Sequence, residues 1–206
     1  TGGFGAVLGS KNLKAIAVAR GKNRPQVYDD KTLSALSKEI LDKIKDGQQF
    51  AVGTLWIMKR NAQNARAPFL NYTTSVNPMT DEQLNTFSAD FLKTELEYVK
   101  RNPCWACPSH HCQLITIPEG PYAGQVGELP EYEGYAAMGS QLGIWDGIAA
   151  TALSVEVDRL GMDVNETGWV MGMVIECYEK GILTKQDTSG LELTWGNVEA
   201  VRGMIH

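Results

Sequence analysis

Three of the four cysteines of this chain lie between positions 104 and 112, and this cluster strongly constrains how the chain can fold. The segment reads Cys104-Trp-Ala-Cys107-Pro-Ser-His-His-Cys112, a C-x2-C-x4-C spacing. Four cysteines in 206 residues are too few for a secreted scaffold built on disulfides. The spacing therefore predicts a loop that wraps around a metal in a reducing compartment, and we expect a cytoplasmic protein.

Two kinds of metal site are compatible with this loop. A [4Fe-4S] cluster binds four thiolates and often takes three from one loop. A zinc ion would need a fourth ligand, which His110 or His111 could supply only within a crowded loop. The residues favour the cluster over zinc and leave open that the loop binds neither. Cys177 lies in an apolar helical stretch where an unligated, buried cysteine is expected, so the fourth cluster ligand should come from elsewhere.

Composition excludes several classes of protein. The chain is 43% hydrophobic and 21% charged, with a net charge of -5, as in an ordinary globular protein of one or two domains. No cluster of lysines and arginines is available to bind nucleic acid. Apolar runs such as residues 13–19 and 169–175 are too short to span a bilayer. The chain begins at Thr1 without an export signal or a methionine, so we expect it to be a piece of a longer protein.

Periodicity predicts a mainly α fold. Residues 13–19 are short and rich in β-branched side chains, which predicts one strand at the end of another domain over residues 1–24. From residue 25 to 206 the pattern predicts a multihelical domain, with Asp29 or Asp30 and Thr80 as helix caps. The predicted helices cover residues 33–44, 51–60, 80–100, 138–157, 166–180 and 198–205. Residues 115–130 should be irregular or a short hairpin.

Two acidic motifs are candidates for chemistry. Glu131 and Glu133 flank Tyr132 just before a predicted helix; they are either solvated acids or, in an apolar cavity, general acid–base groups. Downstream, Gly161 fits a left-handed helix end and Asp163 fits the next N-cap. This local explanation leaves Asp158 unaccounted for, so we predict that Asp158 contacts a polar ligand with amine donors.

The opening segment is rich in glycine. Glycines occupy positions 2, 3, 5 and 9, and Ser10-Lys11-Asn12 follows them. Such a turn could offer backbone N–H groups to a phosphate, although the spacing matches no standard phosphate loop. The alternative is a tight turn that packs against a core.

Together these segments resemble the tungsten-containing aldehyde:ferredoxin oxidoreductase family. Residues 3–16 are similar to its G-x-G-A-V-M-G-S-K-N-L-K-A-I run, and residues 62–72 to its N-x-x-G-A-L-P-x-x-N-[FY] segment. The cysteine loop, Pro130 to Glu133 (P-E-Y-E) and Asp158 to Asp163 (D-x-x-G-L-D in the family) follow in family order. Each match is weak alone, but the ordered set from residue 2 to about 184 is specific.

The resemblance implies a particular architecture and cofactor set. Residues 1–24 would be the last turn and strand of a β-rich pterin-binding domain, and residues 25–206 the helical middle domain, incomplete without a fourth cluster ligand. The cofactors would be a tungsten (or molybdenum) bis-pyranopterin, a [4Fe-4S] cluster and a Mg²⁺ ion that bridges the pterin phosphates. The enzyme would oxidise an aldehyde with ferredoxin or an electron-transfer subunit as acceptor, and we expect an oligomer.

The resemblance also assigns roles to individual residues. Glu133 would transfer a proton or orient substrate beside the metal, and Asp158 would accept a hydrogen bond from a pterin amine. The cluster ligands would be Cys104, Cys107 and Cys112. The remaining cofactor contacts would be Gly5, Ala6, Gly161 and Asp163, with the backbone near Ala6 beside the magnesium.

One departure from the family concerns the cysteine loop. The family's usual spacing is C-x2-C-x3-C, whereas this loop has one residue more and carries His110 and His111. Histidines near the metal could donate protons, as in the class II benzoyl-CoA reductase branch, whose substrate is an aromatic acyl-CoA. Outside the family, the alternatives are a cluster-only electron carrier and a structural zinc module of an interaction protein.

Overall fold

The computed structural model describes residues 4–19, 21–47, 50 and 52–206. Helices dominate this part of the chain, which confirms the mainly α prediction. The α-helices are α1 (Phe4–Ser10), α2 (Asp30–Ile44), α3 (Met58–Gln63), α4 (Asp81–Asn85), α5 (Ala89–Glu95), α6 (Tyr132–Met138), α7 (Gly147–Arg159), α8 (Val164–Glu179) and α9 (Val198–Ile205). The segments Gly53–Ile57 and Ser140–Leu142 are 3₁₀ helices. Every helix within the described ranges is too short or too polar to cross a membrane.

The segment before residue 48 differs from the prediction in one respect. The predicted strand at residues 13–19 is wrong, because these residues form no strand and pair with none of the described strands. The segment predicted as a glycine-rich turn is helix α1 from Phe4 to Ser10, and its first two glycines lie outside the described residues. A β-branched run forms a strand only when a neighbour satisfies its backbone hydrogen bonds. The division of the chain near residue 24 stays a prediction.

Helix α2 begins as its sequence predicts. Asp29 is the N-cap, and its carboxylate accepts hydrogen bonds from the Thr32 N–H at 2.9 Å and the Thr32 hydroxyl at 2.6 Å. These bonds hold the pKa of the exposed Asp29 carboxyl below its ordinary value. The helix buries none of its residues, and its apolar stripe remains about half exposed: Leu33 50%, Leu36 51% and Ile40 49%.

The predicted helix over residues 80–100 is interrupted. Thr80 and Gln83 form the predicted capping box at the start of α4. A second N-cap at Ser88 then starts α5, because its hydroxyl accepts from the Phe91 N–H. After Leu96 the chain is extended, since the β-forming residues that follow pair with residues near 115. The buried stripe continues through the break: Phe87, Leu92 and Leu96 are buried, Phe91 is partly buried, and Val99 is 49% exposed.

The extended residues form a three-stranded antiparallel sheet in the order β1–β2–β3. Its strands are β1 (Glu97–Arg101), β2 (Gln113–Thr116) and β3 (Val126–Glu128). Tyr98 pairs with Ile115 and Arg101 with Gln113, and a bulge lies between Tyr98 and Lys100. The β2–β3 pair is the short hairpin predicted within residues 115–130.

The core lies where α6, α7 and α8 pack together. The predicted helix over residues 138–157 is divided between α6 and α7, because Gly143 takes a left-handed conformation (φ 71°) and Asp146 caps the new helix. Tyr135, Met138 and Leu153 are fully buried in this core. The phenol of Tyr135 contacts the Thr151 hydroxyl at 3.0 Å, and burial raises the pKa of this phenol.

Helices α6 and α8 approach closely because Gly168 has no side chain. An ideal Cβ on Gly168 would lie 2.6 Å from the Ala137 carbonyl oxygen and 2.8 Å from its Cβ. The other side of α6 is also close to α7, since a Cβ on Gly134 would lie 3.1 Å from the Ser154 hydroxyl. These contacts fix how the helix ends are placed around the site described below.

This packing predicts that Gly168→Ala lowers the free energy of unfolding by about 1–3 kcal/mol, because its methyl group meets backbone that cannot yield. Chemical denaturation measures the change. Gly9→Ala on α1 is the control: a Cβ there meets open space, so the substitution should leave stability unchanged or raise it by up to about 1 kcal/mol through helix propensity. Equal stability of the two variants would contradict the assignment of a tight helix contact.

Candidate functional site

The cysteine loop connects strands β1 and β2. Its base is closed by the Asn102 N–H, which donates to the Cys112 carbonyl at 2.9 Å, next to the Arg101–Gln113 pair of the sheet. Ala106 and His110 take left-handed conformations (φ 57° and 48°), which bend the loop back on itself. The Cys107 N–H donates to the Cys104 carbonyl at 3.2 Å, so the first two cysteines share one turn. The β1–β2 pair, which the sequence did not predict, therefore holds both ends of this loop.

The three cysteines of the loop are free thiols that differ in exposure. Cys104 is exposed, whereas Cys107 and Cys112 are half-buried. Burial raises the pKa of Cys112 to about 12, with further contributions from the Glu128 carboxylate, which is in hydrogen-bonding contact, and from Cys104. Cys177, in contrast, lies half-buried on α8.

The two histidines of the loop have different surroundings. His111 is half-buried, and its Nε2 lies 2.7 Å from the Glu131 carboxylate and 3.6 Å from the Cys112 sulfur. His110 is exposed, and its backbone carbonyl accepts a hydrogen bond from the Arg101 guanidinium. Only His111 is therefore connected by its side chain to the described acidic groups.

Glu131 is itself held by the backbone of the 3₁₀ helix Gly53–Ile57. Its carboxylate accepts from the Thr54 N–H at 2.6 Å and also from the Thr54 hydroxyl. The Thr54 hydroxyl oxygen in turn accepts from the Tyr132 N–H at 2.8 Å. Gly53 has φ 60°, and a Cβ there would lie 2.6 Å from Glu131 and 2.9 Å from the His111 ring. This position therefore requires glycine on both conformational and steric grounds.

Three of these groups could also bind one metal ion. Atoms of His111, Cys112 and Glu131 lie within 4.8 Å of one another, the one such group of three that the described residues contain. A nitrogen, a sulfur and an oxygen donor suit a transition-metal ion. Such binding would take Cys112 away from the other two cysteines.

A cavity of about 310 Å³ lies beside the loop, and five of its eleven lining residues are acidic. The packing of α6, α7 and α8 brings three predicted site residues to its wall. Glu133 is in the first turn of α6, Asp158 is near the end of α7, and Asp163 is the N-cap of α8, accepting from the Glu166 N–H at 2.9 Å. The other carboxylates of the wall are Glu128 and Glu131.

The acidic surroundings affect the Asp158 carboxyl. Partial desolvation raises its pKa, and the Glu128 and Asp163 carboxylates raise it further. Asp158 therefore keeps its proton to a higher pH than an ordinary aspartate. A bound group with N–H donors would offset this effect by favouring the carboxylate.

Gly5 and Ala6, which were predicted to contact the cofactor, also lie close to Asp158 and Asp163. Helix α1 touches the turn after α7 at Gly5, where a Cβ would lie 2.6 Å from the Gly161 carbonyl oxygen. Gly161 is left-handed (φ 71°), as predicted for a helix end. A second cavity of about 480 Å³ is lined by Gly5, Asp158 and Gly161, and a third by Ala6 and Asp163. The five residues predicted to contact cofactor thus cluster around one turn.

Sequence reasoning missed two residues of this site, Glu128 and Thr54. It also did not predict the pairing of Glu131 with His111, although both residues belong to predicted motifs. Residues 54 and 131 are far apart in sequence, and no local pattern relates them. The one available signal was Gly53-Thr54, a glycine followed by a hydroxyl residue within a predicted helix.

Comparisons with known proteins agree on one family. The family model for aldehyde ferredoxin oxidoreductase, domains 2 and 3, matches residues 33–206. Over 212 residues the chain is 32% identical to the aliphatic sulfonate oxidoreductase, WOR-like subunit, of Pyrococcus furiosus, which aligns with 100% of this chain. It is 33% identical to the tungsten-containing aldehyde ferredoxin oxidoreductase of P. furiosus over 99% of the chain, and 32% identical to that of P. abyssi over 100%. The chain spans about a third of the length of these relatives.

The protonation of Cys112 can be tested by alkylation. With a pKa of about 12 the thiol is protonated at pH 8, so in the metal-free protein we expect iodoacetamide to label Cys112 roughly 10²-fold more slowly than the exposed Cys104. The rate should rise with pH up to about 12, since only the thiolate reacts. Mass spectrometry of peptides sampled over time gives both rates.

Glu128→Gln provides the matched control for this measurement. It removes a charge that raises the Cys112 pKa and should speed its labelling without changing that of Cys104. Equal labelling rates of the two cysteines in the unsubstituted protein would contradict the environment described for Cys112.

Proposed function

Since the chain belongs to the aldehyde ferredoxin oxidoreductase family, we propose that it forms part of a tungsten–pterin oxidoreductase that oxidises an aldehyde to a carboxylic acid and passes the electrons to ferredoxin. The observation that carries this proposal is the position of the acidic cavity beside the cysteine loop. Glu131 lines the cavity and contacts His111 of the loop, and Glu128 lines the cavity and contacts Cys112. One centre for substrate chemistry and one for electron transfer would thus be neighbours.

The loop fits three quarters of a [4Fe-4S] site. Cys104, Cys107 and Cys112 are all free, and the hairpin base holds them in one bent loop. A cluster would lower the pKa of each bound thiol, because iron binds the thiolate. Cys177 belongs to helix α8 and not to this loop, so the fourth thiolate would come from outside residues 1–206.

The region around Asp158 fits a pterin. A pterin carries ring amines, and carboxylates that line a cavity accept hydrogen bonds from such donors. Asp158 lines two neighbouring cavities, one with Glu133 and one with Gly5 and Gly161. The close approach of Gly5 to Gly161 leaves backbone, without side chains, at their contact. We extend the proposal to a Mg²⁺ ion and pterin phosphates near Ala6, as the resemblance implies.

The residues of this chain would position groups and move protons. When bound, the tungsten–pterin group would take two electrons from the aldehyde as water is added, and the cluster would pass them on singly. This oxidation releases two protons for each aldehyde. Glu133, exposed to the cavity at the start of α6, would accept one of them. Asp158 would fix the orientation of the cofactor, and Glu131 would hold His111 in place.

The candidate reactions within the family differ in their substrate, which is an aldehyde, an aliphatic sulfonate or an aromatic acyl-CoA. One relative is an aliphatic sulfonate oxidoreductase subunit and others are aldehyde enzymes, at nearly equal identity. The aromatic acyl-CoA alternative rested on His110 and His111 as proton donors, and of these His111 is paired with Glu131. Assays of the full-length protein with aldehyde, aliphatic sulfonate and aromatic acyl-CoA, using a viologen dye as electron acceptor or donor, would separate the three reactions.

Glu133→Gln tests the proton-transfer role. We expect kcat for aldehyde-dependent viologen reduction to fall about 10²–10⁴-fold with tungsten and iron contents unchanged, because the amide cannot accept a proton. Glu119→Gln, an exposed change outside the cavity, should leave kcat unchanged. A Glu133→Gln enzyme with full activity would remove this residue from the mechanism.

Elemental analysis tests the cofactors. Cys104→Ser or Cys107→Ser should lose most of the bound iron and its brown absorbance, whereas Cys177→Ser should keep both, because α8 does not contribute to the loop. Iron without tungsten or molybdenum in the unsubstituted full-length protein would favour a cluster-only electron carrier. Zinc without brown absorbance would favour a structural zinc module.

A further inference from the structure

His111 is fixed at both ring nitrogens. Its Nδ1 lies 3.4 Å from the Ser109 hydroxyl, and its Nε2 lies 2.7 Å from Glu131 and 3.6 Å from the Cys112 sulfur. A carboxylate can only accept a hydrogen bond, so Nε2 carries the hydrogen, while Nδ1 accepts from Ser109 in the neutral ring and donates to it in the imidazolium. This one N–H therefore faces both the carboxylate of Glu131 and the sulfur of Cys112.

The carboxylate that holds His111, that of Glu131, is itself held by several hydrogen bonds. Glu131 accepts three hydrogen bonds, from the Thr54 N–H, from the Thr54 hydroxyl and from His111. Gly53 allows this approach, since a side chain at position 53 would strike both Glu131 and the His111 ring. These contacts hold the His111 imidazole in one orientation beside Cys112, and they do not depend on the exposed part of the loop.

We propose that His111 is a positioning residue whose Nε2–H, held by Glu131 and Thr54, donates to the Cys112 thiolate and raises the reduction potential of the iron–sulfur cluster. The inference rests on the proposed function, which places a cluster on Cys104, Cys107 and Cys112. Reduction adds negative charge to a cluster and its sulfurs, and a donor aimed at a ligand sulfur stabilises that charge. Charge-assisted bonds of this kind are stronger than neutral ones.

The charges around Cys112 explain why such a donor matters here. Glu128 contacts the sulfur and Glu131 lies nearby, and both carboxylates disfavour further negative charge on it. Without an N–H donor, these acids would lower the reduction potential of the cluster. His111 offsets them at the ligand itself.

The test is a redox titration of the full-length, metal-loaded protein, followed by the electron paramagnetic resonance signal of the reduced cluster. His111→Phe keeps a planar ring but removes the donor, so its midpoint potential should be lower than that of the unsubstituted protein at equal iron content. His111→Gln can place an amide N–H near the position of Nε2 and should restore much of the potential. His110→Asn is the matched control: it changes the neighbouring histidine, retains a residue that tolerates the left-handed conformation, and should not shift the potential.

The outcomes separate this inference from the proposed function. An iron-loaded His111→Phe protein with an unchanged potential, or an equal shift in His110→Asn, would overturn the inference and leave the cluster in place. Should His111→Phe fail to fold or bind iron, the smaller His111→Leu makes the same measurement. Absence of iron from the unsubstituted protein would overturn the proposed cluster, and this inference with it.

Discussion

The close packing of helices α6, α7 and α8 is the constraint on which the candidate site depends. Gly168 lets α8 approach the backbone of α6, and Gly134 lets α6 approach Ser154 of α7. Glu133 precedes Gly134 directly, and Asp158 lies one turn after Ser154 on the same face of α7. A larger residue at either glycine would separate the helices and, with them, the carboxylates. The helix contacts that form the core therefore also set the positions of the site's carboxylates.

This arrangement concentrates negative charge in a small volume. Five carboxylates line one cavity, and the described lining residues include no lysine, arginine or histidine. Desolvation and the neighbouring Glu128 and Asp163 carboxylates disfavour ionisation of Asp158 and raise its pKa. Groups that bring N–H donors or positive charge would relieve this repulsion, so the cavity is built for a partner with those properties. The strain is tolerated because helix capping by Asp163 and the Thr54 bonds to Glu131 stabilise two of the acids individually.

Features that depend on residues close together in the sequence were predicted correctly, whereas features that depend on distant residues were not. The capping box at Thr80, the Asp29 and Asp163 caps and the left-handed Gly161 were predicted, because each depends on residues at most a few positions apart. The strand at residues 13–19 and the continuous helix over residues 80–100 were wrong, because whether an extended or helical segment forms there depends on distant partners. Residues 97–101 became a strand since residues 113–116 pair with them.

The sequence by itself determined which chemistry is available: three cysteines in one loop, two acidic motifs, and an ordered set of segments that identified the family. The tertiary structure decided which of these groups meet. It placed Glu133, Asp158 and Asp163 on one cavity, tied His111 but not His110 to Glu131, and closed the cysteine loop with a sheet. Residues 54, 111 and 131 contact one another through separate elements of the fold, and periodicity or spacing along the chain carries no information about such contacts. Motifs follow from local order in the sequence, whereas a site requires the packing of the core to bring those motifs together.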